Sequence, residues 1–184
     1  MHLISKKDKT IFYHIPKNGG HTICPMFQEL KWGEIKRYPP IIPTPTLKEY
    51  HLITIVRDPY ERFLSGWKSI MMSRKQSHLI TPEYFQMNFD KVHDKTHIDM
   101  TQTEHLGGAY PYLNKVYRFE NFKLAYDEIN KKYNCGFCPY EEHPVKNKSV
   151  SANLEDFLTN KVIDYINTKF DKDFKNFNYD RRRC

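Results

Sequence analysis

The stretch that most constrains this chain is Ile11-Phe12-Tyr13-His14-Ile15-Pro16-Lys17-Asn18-Gly19-Gly20-His21-Thr22-Ile23. It reads as a short apolar strand, a tight glycine turn and the start of a helix. Ile11, Tyr13 and Ile15 share one strand face at period two. Gly19-Gly20 lets the backbone turn sharply and leaves its amides uncovered. Ile23, Met26, Phe27 and Leu30 then recur at helical spacing. Where a strand passes through a glycine turn into a helix, unpaired N–H groups and the positive end of the helix dipole converge, which makes an anion site. Lys17 adds a full positive charge at its mouth and Thr22 a hydroxyl.

A second junction of the same kind lies downstream. Leu52-Ile53-Thr54-Ile55-Val56 is a short, β-branched apolar run, as expected of a strand buried on both faces in a parallel sheet. Asp58 is placed to cap the following helix, with Pro59 as its first residue. Phe63, Leu64, Trp67, Ile70 and Met71 supply that helix with a buried stripe. Arg57 therefore stands at a strand's C-terminal end, where α/β folds bind ligands. A third strand is expected around Val116–Phe122, running into a helix with Phe122, Ala125, Ile129 and Tyr133 inward. Glu120 and Asn121 are read as caps there. A short helix is expected near Pro82–Phe89, and a last one capped by Thr159 with Val162, Ile163, Ile166 and Phe170 inward. Strands alternating with helices predict a single α/β domain over residues 1–184, three-layer α/β/α with a mostly parallel central sheet.

The first loop is not a Walker A motif, whose lysine follows the glycines; here it precedes them. The order Pro-Lys-x-Gly-Gly-x-Thr resembles the 5′-phosphosulfate loop of sulfotransferases that use 3′-phosphoadenosine 5′-phosphosulfate (PAPS), closest to the carbohydrate branch that includes the heparan-sulfate O-sulfotransferases. Val-Arg-Asp-Pro-x-x-Arg-x-x-Ser, at Val56–Ser65, is similar to the 3′-phosphate motif of the same enzymes. The resemblance implies a P-loop-NTPase-like sulfotransferase fold. It also implies that Asn18, Gly19, Gly20, His21 and Thr22 cradle the phosphosulfate, while Arg57 and Ser65 grip the 3′-phosphate. Weaker similarities cover His97–Gln102 (a His-x-x-x-x-Gln signature), Arg118–Asn121, the basic segment His143–Ser149 and the aromatic close Phe170–Tyr179. In the basic segment Lys148 and Ser149 are candidate further contacts to the 3′-phosphate; the aromatic close is read as packing.

The net charge of +7 suggests an anionic ligand, acceptor or surface. No zinc-finger spacing, basic heptad helix or RNP-like strand supports nucleic acid, and Arg181-Arg182-Arg183 reads as a solvated tail. No apolar run approaches the roughly 20 residues of a membrane span. With no signal peptide in view a cytoplasmic protein is expected, or a Golgi lumenal one if an anchor once lay upstream. Cys24, Cys135, Cys138 and Cys184 make no disulfide framework. The Cys135-x-x-Cys138 pair is half a zinc site, which His143 and Cys184 could complete; reduced thiols without metal are the default. Four prolines in Pro39–Pro45 exclude helix and predict an extended connector.

Sulfuryl transfer requires an acceptor oxygen in line with the departing phosphate, so positioning and charge stabilisation carry most of the chemistry. Lys17 would neutralise charge on the bridging oxygen. A base must take the acceptor's proton. His51 lies about 20 Å back along its strand from the Arg57 end and is rejected, and Glu29, Glu34 and Glu49 have no motif to recommend them. His97 is the first candidate and His21 the second. The expected activity is PAPS-dependent transfer, releasing adenosine 3′,5′-bisphosphate (PAP), to an acceptor hydroxyl on a carbohydrate, with no metal. A phosphotransferase of related fold and a non-catalytic basic binder of glycans or nucleic acid are the competing readings.

Overall fold

The computed structural model describes residues 2–35, 42–142 and 153–183. The chain begins with β1 (His2–Ser5), β2 (Thr10–Tyr13), α1 (Gly20–Glu29), β3 (Gly33–Ile35), α2 (Thr44–Glu49) and β4 (His51–Val56). It continues through α3 (Pro59–Ser73), α4 (Pro82–Asn88), α5 (Gln102–Leu106), β5 (Leu113–Arg118) and α6 (Phe122–Tyr133). It closes with α7 (Leu154–Phe157), α8 (Asn160–Lys169) and α9 (Asp171–Phe177). Two compact units result, one from Met1–Arg57 with Gln102–Asn147, the other from Asp58–Thr101 with Lys148–Cys184.

The first unit holds a five-stranded sheet in the order β3-β1-β2-β4-β5. Its core of β2, β4 and β5 is parallel, with Tyr13 opposite Thr54 and Val56 opposite Arg118. β1 runs antiparallel to both β2 and β3. This is the expected α/β sheet flanked by helices, with an antiparallel edge that was not foreseen. The lysine-rich segment before β2 is a hairpin turn: Ser5 Oγ donates to Asp8 Oδ2 at 2.6 Å and accepts from the Asp8 amide at 3.0 Å. On one face Leu3, Phe12, Ile53, Ile55 and Tyr117 pack against Ile23, Met26 and Phe27 of α1 and Ala125, Tyr126 and Ile129 of α6. Each such side chain contributes about 1.5–3 kcal/mol by burial. Ile11, Tyr13, Leu52, Thr54 and Val56, at the alternate positions, are also buried, so β2 and β4 are covered on both faces.

Two expectations fail locally. α2 begins inside the proline stretch, because Pro45 falls in the first turn, where a missing N–H costs nothing. Asn121 occupies the position before α6, but its side chain makes no capping bond.

In the second unit the predicted α3 stripe is buried as expected. Tyr60, Phe63, Leu64, Trp67, Ile70 and Met71 form one cluster with Phe85, Phe89, Ile98, Phe157, Val162, Ile163, Ile166, Phe170 and Phe174. Asp58 Oδ1 caps α3 by accepting from the amides of Tyr60 at 2.9 Å and Glu61 at 3.0 Å, and Thr159 caps α8. The closing aromatics are packing residues, as expected. The C-terminal arginines are not a free tail: the Arg182 amide donates to Tyr60 Oη at 2.8 Å, its guanidinium pairs with Glu155, and Arg181 pairs with Asp171. Among the described residues no helix is long and apolar enough to cross a membrane.

Candidate active site

In the first unit the loop after β2 rises through His14–Asn18 and enters α1 at Gly19. Gly19 has φ +80, and a side chain there would run into the Phe122 ring, meeting Cε2 first and then Cζ. A side chain at Gly20 would overlap the His14 imidazole. Both glycines are thus required by close approach and not only by the turn. Lys17 itself sits at φ 72, a left-handed conformation that costs a non-glycine residue about 1–2 kcal/mol. The Thr22 and Ile23 amides donate to the Gly19 carbonyl at 3.0 and 3.2 Å. The amides of Gly20 and His21 precede that first helical bond and are oriented by the helix start. Thr22 is half-buried and His21 exposed.

Asn18 is 1% exposed, so its side chain serves the loop and not a ligand. Its Nδ2 donates to the Ile55 carbonyl at 2.8 Å and to Gln102 Oε1 at 2.8 Å, which ties the loop to the neighbouring strand. Its Oδ1 is buried without a hydrogen-bond partner among the described residues, at a cost of about 1–3 kcal/mol. Strain at Lys17 and an orphaned acceptor at Asn18, side by side, mark the loop as a place where stability is given up.

Arg57 follows β4, the parallel neighbour of β2, so both cations stand at adjacent strand exits. Its guanidinium lies 4.2 Å from the centroid of the Phe119 ring, and Nη1 donates to the Lys17 carbonyl at 3.3 Å. The arginine is thereby aimed across the glycine loop. Phe119 comes from the Arg118–Asn121 segment, whose sequence carries no sign of this platform. Gln102 was likewise noted only as the end of a weak signature. His51, at the first residue of β4, is at the far end of that strand from Arg57, in keeping with its rejection.

The second unit holds Ser65 and His97. Ser65 is half-buried on α3. The next residue, Gly66, is where a π-turn (Lys95–Asp99) rests on the helix: an added Cβ would lie 2.6 Å from the His97 carbonyl oxygen and 2.6 Å from Ile98 Cγ2. The His97 backbone therefore packs on α3 at Gly66 because residue 66 has no side chain. Its Nδ1 lies 2.8 Å from Asp94 Oδ1. A carboxylate only accepts, so Nδ1 carries the hydrogen, and Nε2 is the acceptor nitrogen of the neutral ring. Asp94 also accepts from the amides of Thr96 at 3.0 Å and His97 at 2.8 Å. Burial works to raise the Asp94 carboxyl, but the bonds from the His97 amide, the His97 ring and Thr96 outweigh it and hold the group below the usual carboxylate range. Asp94 was not anticipated; an Asp three residues before a His is too common to signal anything alone.

Lys148 and Ser149 lie outside the described residues. Cys24, Cys135 and Cys138 are unpaired thiols. Among the described residues no three His, Cys, Asp or Glu side chains are grouped so as to hold a metal ion.

Two cation-bearing strand exits around a helix N-terminus mark the class: an α/β protein whose site has the groups that suit an anion. A comparison with protein-family models gives the class its name, matching residues 1–135 to the sulfotransferase family. The chain belongs to that family. Searches of curated proteins and of solved structures returned no match.

Proposed function

We propose that the protein transfers the sulfuryl group of PAPS to a hydroxyl of a carbohydrate acceptor and releases PAP. The observation that carries this reading is the Arg57 guanidinium reaching to the Lys17 carbonyl at 3.3 Å, which joins two cationic residues and the start of α1 in one constellation. A lone lysine beside glycine amides suits a phosphosulfate, and an arginine with a planar fork suits a terminal phosphate. These donor groups fit a nucleotide with an anion at each end. Family membership supports sulfuryl transfer in general; the nucleotide and the sugar are our finer assignment.

In this reading the Gly20 and His21 amides and Lys17 hold the phosphosulfate, and Arg57 holds the 3′-phosphate. The motif resemblance adds Asn18, Gly19 and Thr22 to the first group, and Ser65, Lys148 and Ser149 to the second. During transfer the acceptor oxygen bonds to sulfur as the bond from sulfur to the bridging phosphate oxygen breaks. Lys17 stabilises the negative charge arriving on that oxygen. His97 Nε2 takes the acceptor's proton, and Asp94 keeps the imidazole in the tautomer that can accept it and stabilises the cation formed. His97 is preferred to His21 because it has an orienting carboxylate. The fit of the chemistry to Lys17 and Arg57 leaves no step that calls for a metal.

A transfer assay with radiolabelled donor and a panel of saccharides, run without divalent metal, tests the reading. Label in a saccharide, abolished in Lys17→Ala, is expected. Transfer only to phenols or tyrosine peptides would overturn the acceptor class, and no thermal stabilisation by PAP would overturn the donor.

A further inference from the structure

Gln102, in the first unit, is a polar side chain that is 0% exposed. Its Oε1 accepts from the Arg57 amide at 2.9 Å and from Asn18 Nδ2 at 2.8 Å, while its Nε2 donates to the Arg57 carbonyl at 2.8 Å. A carboxamide has one acceptor and one donor end, as a peptide group has. Here it takes both backbone groups of Arg57, one residue past the end of β4, where the ladder with β5 stops at Val56 opposite Arg118. Asn18 Nδ2 meanwhile uses its other hydrogen on Ile55. The bonds are mutually consistent in only one orientation of both amides, because Asn18 can offer Gln102 a donor and the Arg57 amide requires an acceptor.

We propose that Gln102 is a positioning residue that fixes the spacing between the phosphosulfate loop and Arg57, so that both ends of one donor nucleotide are met without rearrangement. This rests on the donor assignment above. Arg57 lies beyond the sheet, and its guanidinium direction follows its own backbone. Gln102 holds that backbone at both polar groups, Phe119 and the Lys17 carbonyl hold the guanidinium, and Asn18 carries the restraint into the loop. Removing Gln102 leaves Lys17, Arg57 and the glycines in place as chemical groups, but frees the Arg57 backbone and leaves only the guanidinium bond to the Lys17 carbonyl and the Asn18 bond to Ile55 between the two sites. The donor then has to order them on binding, so affinity falls while the bound complex still reacts.

The test uses Gln102→Met, close in volume and without the hydrogen bonds, and Gln102→Asn, which keeps the amide on a shorter stem. Expected are a rise in the Kd for PAP and in the KM for PAPS of about tenfold or more in Gln102→Met, with kcat and the acceptor KM nearly unchanged. Gln102→Asn should give a smaller rise. The Arg57 amide should lose hydrogen-exchange protection in both. Asn18→Ala combined with Gln102→Met should weaken PAP binding by less than the product of the single effects, since the two act through one bond. PAP affinity within twofold of the parent in folded Gln102→Met, or kcat falling while donor KM stays fixed, would overturn the proposal. Should Gln102→Met fail to fold, the same readings on Gln102→Asn decide it. If the parent protein does not bind PAP, the donor assignment itself falls, which is a distinct result from parent binding that the Gln102 variants leave intact.

Discussion

Lys17 and Arg57 in the first unit are set by partners far away along the chain, whereas the His97 ring in the second takes its orientation from a residue three positions earlier. Asn18 reaches Ile55 and Gln102, and Arg57 reaches Lys17, Gln102 and Phe119, largely through buried groups. The His97 and Asp94 side chains are 40% and 36% exposed, and their contact is local. Anion binding needs fixed geometry at two points of one ligand, which only long-range ties can give. Proton transfer needs a defined tautomer, which one neighbouring carboxylate supplies. On that contrast, damage at Arg57 and its ties appears in donor binding, damage at Lys17 in binding and turnover together, and damage to the second region in turnover and its pH profile.

The largest effect is expected at His97. His97→Ala should lower kcat by about 10²–10⁴-fold while PAP affinity holds. Asp94→Asn, which keeps an acceptor but loses its charge, should cost on the order of tenfold. A loss of PAP binding in either variant would break the contrast. Lys17→Ala should reduce kcat/KM by about 10²–10³-fold. Lys17→Gly should do the same with an unfolding free energy within about 1 kcal/mol of the parent, because glycine tolerates the positive φ. Activity surviving in the glycine variant would show that the strained backbone, not the charge, matters there.

These two regions also differed in how far they could be read from sequence. Gly19, Gly20, Lys17 and Arg57 stood out because strand, turn and helix signals are local and the ligand chemistry demands those residue types. Asp58 and Pro59 announced α3 by the same short-range rules, and β4 was plain from its apolar run. β1 and β3 were missed: four residues including His2 and Ser5, and three including Gly33 and Glu34, carry too few alternating positions to register a period. Gln102 and Phe119 were quoted inside weak signatures, but their contacts with Arg57 bridge 45 and 62 residues. Nothing local encodes such pairings. The arginines at 181 and 182 misled for the same reason, since their partners lie at Asp171, Glu155 and Tyr60.

Smaller effects sharpen the comparison at the level of stability. Gly66→Ala places a Cβ against the His97 carbonyl, a backbone atom that cannot swing aside. It should cost about 1–3 kcal/mol in denaturant unfolding and lower kcat through the displaced turn. Unchanged turnover would mean that the seat of the turn on α3 does not place the histidine. A further effect is an acid sensitivity of the first unit. His2 is fully buried beside Tyr13, and burial, with His14 and His105 nearby, lowers its pKa from 6.5 to about 3. The unfolded chain then binds a proton that the folded one refuses. Stability is full above about pH 6.5 and falls as pH drops toward 3, by up to about 1.4 kcal/mol per unit. His2→Phe should flatten that slope in unfolding measured from pH 7 to 4, and an unaltered slope would assign it to other groups.

The central claim is that Lys17 and Arg57 hold the two ends of one nucleotide, and calorimetric titration with PAP and with adenosine 5′-monophosphate tests it most directly. PAP should bind at least about 100-fold more tightly than the monophosphate, and Arg57→Ala should erase most of that difference while Lys17→Ala weakens both ligands together. Equal affinity for the two nucleotides, or a preference for PAP that survives the loss of Arg57, would contradict the account.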